Sequence, residues 1–146
     1  MLHRLTTHND QIPLHPSTLT RFHSRAPPAI SISDYLRRIV KYASVENVCL
    51  LILLIYIDRM CERNRGFTIS SLTVHRFVIV GVCCASKALC DSYLTNTMYA
   101  KVGGISTKEL NILEIEFLFL IDWNLAANVE TLQNYYVNLV KQVCSH

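Results

Sequence analysis

The chain has 146 residues, a net charge of +3 and 51% apolar residues, with only four glycines and four prolines. This length and composition predict one folded domain with a substantial core. The sequence argues against a membrane protein, because the longest apolar run (48–57) is half of what a membrane span needs. It also argues against a nucleic-acid partner, because the cations form no basic stripe.

Residues 1–29 differ from the rest of the chain in composition. They contain all four prolines and four of the six histidines, with no sustained periodicity. We therefore predict a flexible N-terminal arm, followed by a domain at residues 30–146. The alternative is an arm that docks on the domain or on a partner through Leu14, Leu19 and Phe22. The arm lacks the continuous apolar stretch of a secretory signal, so we expect none.

The first predicted helix covers residues 31–43, where apolar residues recur at helical spacing behind a Ser31 cap. Three cations, Arg37, Arg38 and Lys41, lie off this apolar stripe. We interpret them as a solvated basic face, with a docking surface as the alternative.

The second and third predicted helices cover residues 45–64 and 71–90. The second turns polar at Asp58 and Arg59, a charged pair that is typical of an internal structural tie. The third is apolar on every side from Phe77 to Ala85, so it has no solvent face and must lie at the centre of the domain. Near its start, His75 is interpreted as a hydrogen-bonded structural histidine, with a pH switch as the alternative.

The remaining predicted helices lie in the last third of the chain. Residues 91–102 are predicted to be irregular, with a short helix at 96–101. The fourth main helix begins at a capping box, Ser106 to Glu109, and runs to about residue 122. The fifth follows a cap at Asn128 and carries another apolar stripe. No strand pattern occurs, so we predict an all-α fold of five helices around a buried third helix.

The cysteines indicate neither a metal site nor a disulfide framework. None belongs to a CxxC motif or a set with zinc spacing, and five lie within or beside apolar runs, where free cysteine packs as a small hydrophobic residue. We expect no metal, no cofactor and a reducing intracellular compartment, the cytoplasm or the nucleus. A redox or metal site is the alternative. The six are Cys49, Cys61, Cys83, Cys84, Cys90 and Cys144.

No catalytic pattern stands out, since the chain has no GxSxG, no glycine-rich phosphate loop and no HExxH. We therefore expect no enzyme activity. Two charges are more informative, because Lys87 and Glu114 each interrupt an otherwise apolar helix. If those helices are antiparallel neighbours, both side chains reach one surface and can bind the backbone or a helix end of another protein. The alternative is an internal salt bridge between them.

Three stretches resemble a cyclin box, and within that family the P/U-type (PHO80-like) cyclins. They are LLIYIDRM at 53–60, TVHRFVIVGVCCASKALCDSYLTNTMYAKVGGIS at 73–106 and ELNILEIEFLFLIDWNL at 109–125. The resemblance covers about residues 30–141. It implies a single five-helix cyclin box with a central third helix, in agreement with the reading from the residues alone.

The resemblance also implies a function and a site. A cyclin of this kind is an activating subunit that binds a cyclin-dependent protein kinase and positions its PSTAIRE-type helix, with Lys87 and Glu114 as the paired kinase-contacting residues. The alternative is a helical adaptor or scaffold in transcription or signalling that activates no kinase. A separate hypothesis concerns Asp91, one helical turn beyond Lys87. It holds that Asp91 pairs with kinase arginines that otherwise bind the activation-loop phosphate. A local cap or loop tie is the alternative for Asp91.

Overall fold

The computed structural model describes residues 1–12 and 20–144, and within these it contains seven α-helices and no strand. The predicted five-helix count is not confirmed, because two shorter helices accompany the five main ones. One of them, α5, matches the short helix predicted at 96–101. The helices are α1 (Leu2–Asn9), α2 (Ile32–Ala43), α3 (Asn47–Arg63), α4 (Val74–Leu89), α5 (Asn96–Gly103), α6 (Thr107–Leu120) and α7 (Val129–Cys144).

Helix α4 lies at the centre and packs against α2, α3, α5 and α6. Every residue from Phe77 to Ser86 is buried, as the absence of a polar side in this stretch predicts. Gly81 allows α3 to approach closely, since a Cβ atom there would overlap the Leu53 side chain.

Side-chain caps begin several of the helices where the sequence predicts them. Ser31 accepts a hydrogen bond from the backbone N–H of Asp34 at 3.1 Å, and Ser106 accepts one from Glu109 at the same distance. These bonds satisfy backbone donors that have no partner inside the helix. The Glu109 carboxylate also forms an ion pair with Arg76 of α4, so the start of α6 is attached to the central helix.

The described parts of the N-terminal segment pack on the domain, and a flexible arm is not confirmed for them. Asn9, at the end of α1, donates to the Ile69 carbonyl at 2.7 Å, and Asp10 accepts from the Ser71 backbone N–H at 2.9 Å. Phe22 is fully buried in the core. Of the three residues named for a docking arm, Leu14 and Leu19 lie outside the described residues. The domain boundary at residue 29 stays a prediction.

His75 has the surroundings of a structural histidine. Its Nε2–H donates to the Ile30 carbonyl at 2.8 Å, and its ring lies 4.9 Å from the Tyr35 ring. Nδ1 is buried and has no hydrogen-bond partner among the described residues. Burial lowers the pKa of His75, against a smaller opposing effect of the bond to Ile30. The neutral imidazole with its proton on Nε2 is therefore the form that the fold favours.

We expect acid to destabilise the domain partly through His75. In the unfolded chain a histidine binds a proton near pH 6.5, whereas folding lowers the pKa of His75. The unfolded state then holds more protons, so stability is complete above about pH 6.5 and falls as the pH drops toward the lower folded pKa. Urea unfolding at pH 7.5 and 5.5 checks this, and His75→Gln is expected to lose less stability between the two pH values than the wild type.

The matched control, His8→Gln, changes an exposed histidine and is expected to show the same pH dependence as the wild type. An unchanged pH dependence in His75→Gln contradicts the assignment.

Candidate functional site

Helices α4 and α6 bring Lys87 and Glu114 together in a two-oxygen ion pair. The Lys87 ammonium lies 2.9 Å from Oε1 and 3.1 Å from Oε2 of Glu114. The side chains remain 31% and 18% exposed, respectively. The salt bridge considered from the sequence therefore exists, and it lies at the surface of the domain, where another protein can reach it.

Two further side chains hold the Glu114 carboxylate in place. Asn96, the first residue of α5, donates from Nδ2 to Oε2 of Glu114 at 2.8 Å and to Oδ1 of Asn111 at 2.7 Å. The Cys83 thiol of α4 lies 3.7 Å from the same Oε2. Sequence reasoning missed Asn96 and Asn111. Of these two residues, only Asn111 could have been found from the sequence, because it precedes Glu114 by three residues and so lies on the same face of α6.

The surroundings keep the lysine charged and the thiol protonated. Burial lowers the pKa of Lys87, but the hydrogen bond to Glu114 and the nearby acidic groups together outweigh it, so the pKa lies above its usual value. Burial, reinforced by the Glu114 charge, raises the pKa of Cys83 to about 12. A lysine ammonium has three N–H donors, and the two Glu114 oxygens accept two. The third is available to a carbonyl or carboxylate of a partner.

Asp91 is close in sequence to this pair but makes no bond to it. Helix α4 ends at Leu89, and Asp91 lies exposed in the following loop. Its carboxylate forms no hydrogen bond or ion pair with any described residue. No local cap or loop tie of Asp91 is therefore observed in that part of the chain, and the carboxylate is accessible from solvent.

Large apolar side chains are exposed on the outer side of α6. Ile112, Ile115 and Phe119 share this side at spacings of three and four residues, and Ile115 and Phe119 are 58% and 67% exposed. The Trp123 ring packs edge-on against Phe119 at 6.1 Å and is itself exposed. We call Ile112, Ile115, Phe119 and Trp123 the α6 face. Clustered apolar side chains of this size are typical of a protein interface. The sequence analysis gave the bounds of this helix and missed its exposed apolar face.

Neither a metal site nor a membrane span finds support in the part of the chain that the structure covers. No three histidine, cysteine or acidic side chains come together there in a way that would hold a metal ion. None of the described helices has the length and apolar character to cross a membrane.

Comparisons with known proteins all indicate the same protein family. The cyclin family model matches residues 3–125. The chain is 51% identical over 122 residues to the Nuc-1 negative regulatory protein preg of Neurospora crassa, covering 84% of this chain and 25% of that protein. It is 47% identical over 108 residues to the PHO85 cyclin PHO80 of Saccharomyces cerevisiae, covering 74% and 37%. It is 38% identical over 146 residues to Cyclin-U4-1 of Arabidopsis thaliana, covering 98% and 72%. The chain thus spans between a quarter and about seven-tenths of the length of these relatives.

Proposed function

The chain belongs to the cyclin family, and from that premise we propose that it is the regulatory subunit of a cyclin-dependent protein kinase. It binds the kinase and positions the PSTAIRE-type helix, and it performs no chemistry itself. One relative, PHO80, is itself named as a cyclin of PHO85. The resemblance of residues 73–106 and 109–125 to P/U-type cyclins supports the same assignment.

The observation that carries the proposal is the partly exposed Lys87–Glu114 pair, whose glutamate belongs to the same helix as the α6 face. The N-terminus of a helix has N–H groups without an intrahelical partner and a partial positive charge, both of which favour a carboxylate. Glu114, held by Lys87 and Asn96, supplies that carboxylate at a partly exposed position. Lys87 supplies a donor for carbonyl groups in the segment that leads into the kinase helix. Ile115 and Phe119 supply the apolar area that such an interface requires.

Activation then follows from differential binding. The PSTAIRE-type helix carries a glutamate that must pair with a lysine on a kinase strand before phosphoryl transfer occurs. A cyclin that binds only the arrangement with that ion pair formed shifts the kinase toward it. A shift from nearly inactive to nearly active requires ~5 kcal/mol of differential binding. An interface of ordinary size, roughly 1,600 Å² in total, is sufficient for such an effect.

The test is co-purification of the chain with each PSTAIRE-type kinase of its host, followed by a kinase assay of each complex. We expect one kinase to bind and to gain activity by at least a hundredfold. Binding without a gain in activity supports the adaptor or scaffold alternative instead. Turnover by the chain with no kinase present overturns the non-catalytic assignment.

Asp91 is proposed to contact arginines of the kinase that otherwise bind activation-loop phosphate. Its exposure and its lack of any partner among the described residues support this role, because an available carboxylate can replace one phosphate in charge-assisted bonds. With a kinase whose activation loop cannot be phosphorylated, we expect Asp91→Ala to reduce activity at least tenfold. Glu130→Ala, which removes an exposed carboxylate from α7, is the control and is expected to have no effect. Equal activities of Asp91→Ala and the wild type contradict the role.

A further inference from the structure

We propose that Cys49 and Cys90 form a redox-active dithiol, which a peroxide oxidises to a disulfide and a small thiol such as glutathione reduces again. The two sulfur atoms lie 3.1 Å apart. A disulfide bond is about 2.05 Å long, so the sulfurs need to approach by only about 1 Å for the bond to form. Neither cysteine belongs to the Lys87–Glu114 pair or to the α6 face, and the redox site is distinct from both.

The packing of α3 against α4 brings the two thiols together. Cys49 lies near the beginning of α3, and Cys90 is the residue that follows α4. One turn further along α3, Leu53 packs against Gly81 of α4, so the two helices are antiparallel. The backbone N–H of Cys90 donates to the Ser86 carbonyl at 3.0 Å. Both cysteines are therefore held by helical backbone, and their contact results from the packing of the core.

This pair is distinguished from the other cysteines by its geometry. No other two thiols are in contact within residues 1–12 and 20–144, which include all six cysteines. The Cys83 thiol lies 3.7 Å from the Glu114 carboxylate instead. Cys61 lies about three turns beyond Cys49 in α3, and Cys144 is exposed at the end of α7. Oxidation of the folded chain is therefore selective for one pair.

The two thiols differ in their access to solvent, and this difference assigns their roles. Cys90 is partly exposed and is followed by the exposed Asp91, whereas Cys49 is fully buried. Burial, reinforced by the neighbouring Cys90 thiol, raises the pKa of Cys49 to about 12. A peroxide therefore reacts first at Cys90, and Cys49 is the resolving cysteine. Its proximity to the Cys90 sulfur compensates for its small thiolate fraction.

The reaction is a two-electron oxidation of the thiols by hydrogen peroxide. The Cys90 thiol gives its proton to solvent, and its sulfur attacks one peroxide oxygen. The O–O bond breaks, Cys90 becomes a sulfenic acid, and the released hydroxide takes up a proton. The Cys49 sulfur then attacks the Cys90 sulfur as the S–O bond breaks, and the leaving hydroxide takes the Cys49 proton. Two thiols and one peroxide thus give one disulfide and two waters. Two glutathione molecules reverse the change by exchange and are themselves joined as a disulfide.

The position of Cys90 indicates what the disulfide does, and this step rests on the proposed function. Cys90 lies three residues after Lys87 and directly before Asp91, so the bond attaches this end of α4 to α3. A segment that is already ordered loses less entropy when it binds a kinase. Under the reducing conditions that the cysteine pattern predicts, such a disulfide is transient and forms when peroxide rises. Oxidation therefore tightens kinase binding.

The test treats the purified, reduced full chain with a small molar excess of hydrogen peroxide and alkylates the remaining thiols. Mass spectrometry of the intact chain and of its non-reduced peptides is expected to show two fewer alkylated thiols and a single linkage, between Cys49 and Cys90. Dithiothreitol is expected to reverse the linkage. Because the bond joins residues 41 positions apart, we expect oxidation to raise the melting temperature by at least about 5 °C.

Cys49→Ala and Cys90→Ala are each expected to abolish the linkage and the rise in melting temperature. Cys61→Ala, which removes a partly buried cysteine elsewhere on α3, is the matched control and is expected to form the linkage as the wild type does. Circular dichroism of the reduced variants checks that they are folded. Because Cys90 is partly exposed, its variant is expected to stay folded even if Cys49→Ala does not.

Three results overturn the proposal. They are an unchanged number of free thiols in the oxidised wild type, a linkage between other cysteines, and oxidation of Cys90 to a sulfinic acid without a linkage. After removal of the peroxide, the kinase that co-purifies is expected to bind the oxidised chain about three- to tenfold more tightly than the reduced chain. Equal affinities overturn the regulatory step alone. A missing linkage together with normal kinase binding overturns the redox site and leaves the proposed function unchanged.

Discussion

Lys87→Ala and Glu114→Ala are each expected to weaken kinase binding by about 2–4 kcal/mol, which corresponds to roughly 30- to 700-fold. Loss of Lys87 leaves the Glu114 carboxylate without its cation, and loss of Glu114 leaves both Lys87 and Asn96 without their shared acceptor. We expect each substitution to lose more free energy in the complex than in the free chain, because the bound kinase removes the remaining water from the pair. Titration calorimetry gives the affinity, and the kinase assay gives the loss of activation.

The stability of the free chain separates a binding role from a structural one. The pair is partly exposed, so we expect each substitution to reduce the free energy of unfolding by only about 1 kcal/mol. Arg37→Ala, which removes the exposed Arg37–Asp34 pair on another helix, is the control and is expected to retain normal kinase binding. If both site variants bind and activate the kinase like the wild type, the pair is structural and the interface lies elsewhere.

Phe22→Ala is expected to reduce the free energy of unfolding by about 3–5 kcal/mol, as is usual for removal of a buried phenylalanine ring. Phe22 is fully buried, and its ring packs against those of Phe67, Phe77 and Phe117 at centroid distances of 5.7–6.4 Å. The substitution thus leaves a cavity against the central helix, which relaxes only in part. Urea unfolding followed by circular dichroism measures the loss.

Ile12→Ala is the matched control for Phe22, because it shortens an exposed apolar side chain of the same N-terminal segment. We expect a change within about 0.5 kcal/mol. A Phe22→Ala variant as stable as the wild type would mean that this part of the segment is mobile in solution, as the sequence composition suggested.

The sequence predicted the main helices because their signals are local. The Ser106 cap and the all-apolar stretch from Phe77 to Ala85 each act within a few residues, so the start of α6 and the burial of α4 can be read without any tertiary contact. The docking of Phe22 has no such local signal, so the sequence analysis named this residue only as part of an alternative to a flexible arm. One aromatic residue fills a gap in the core, and a single contact leaves no periodicity to detect.

The candidate site likewise combines features that the sequence shows with features that only the packing of the helices creates. The sequence by itself determined the all-helical fold, the central helix and the unusual placement of Lys87 and Glu114 in apolar helices. Only the tertiary structure decided that these two side chains meet, that Asn96 holds the carboxylate, that α6 leaves Ile115 and Phe119 exposed, and that the thiols of Cys49 and Cys90 lie in contact. The physical reason is that helix formation depends on neighbours within one or two turns, whereas these groupings depend on how helices distant in the chain pack.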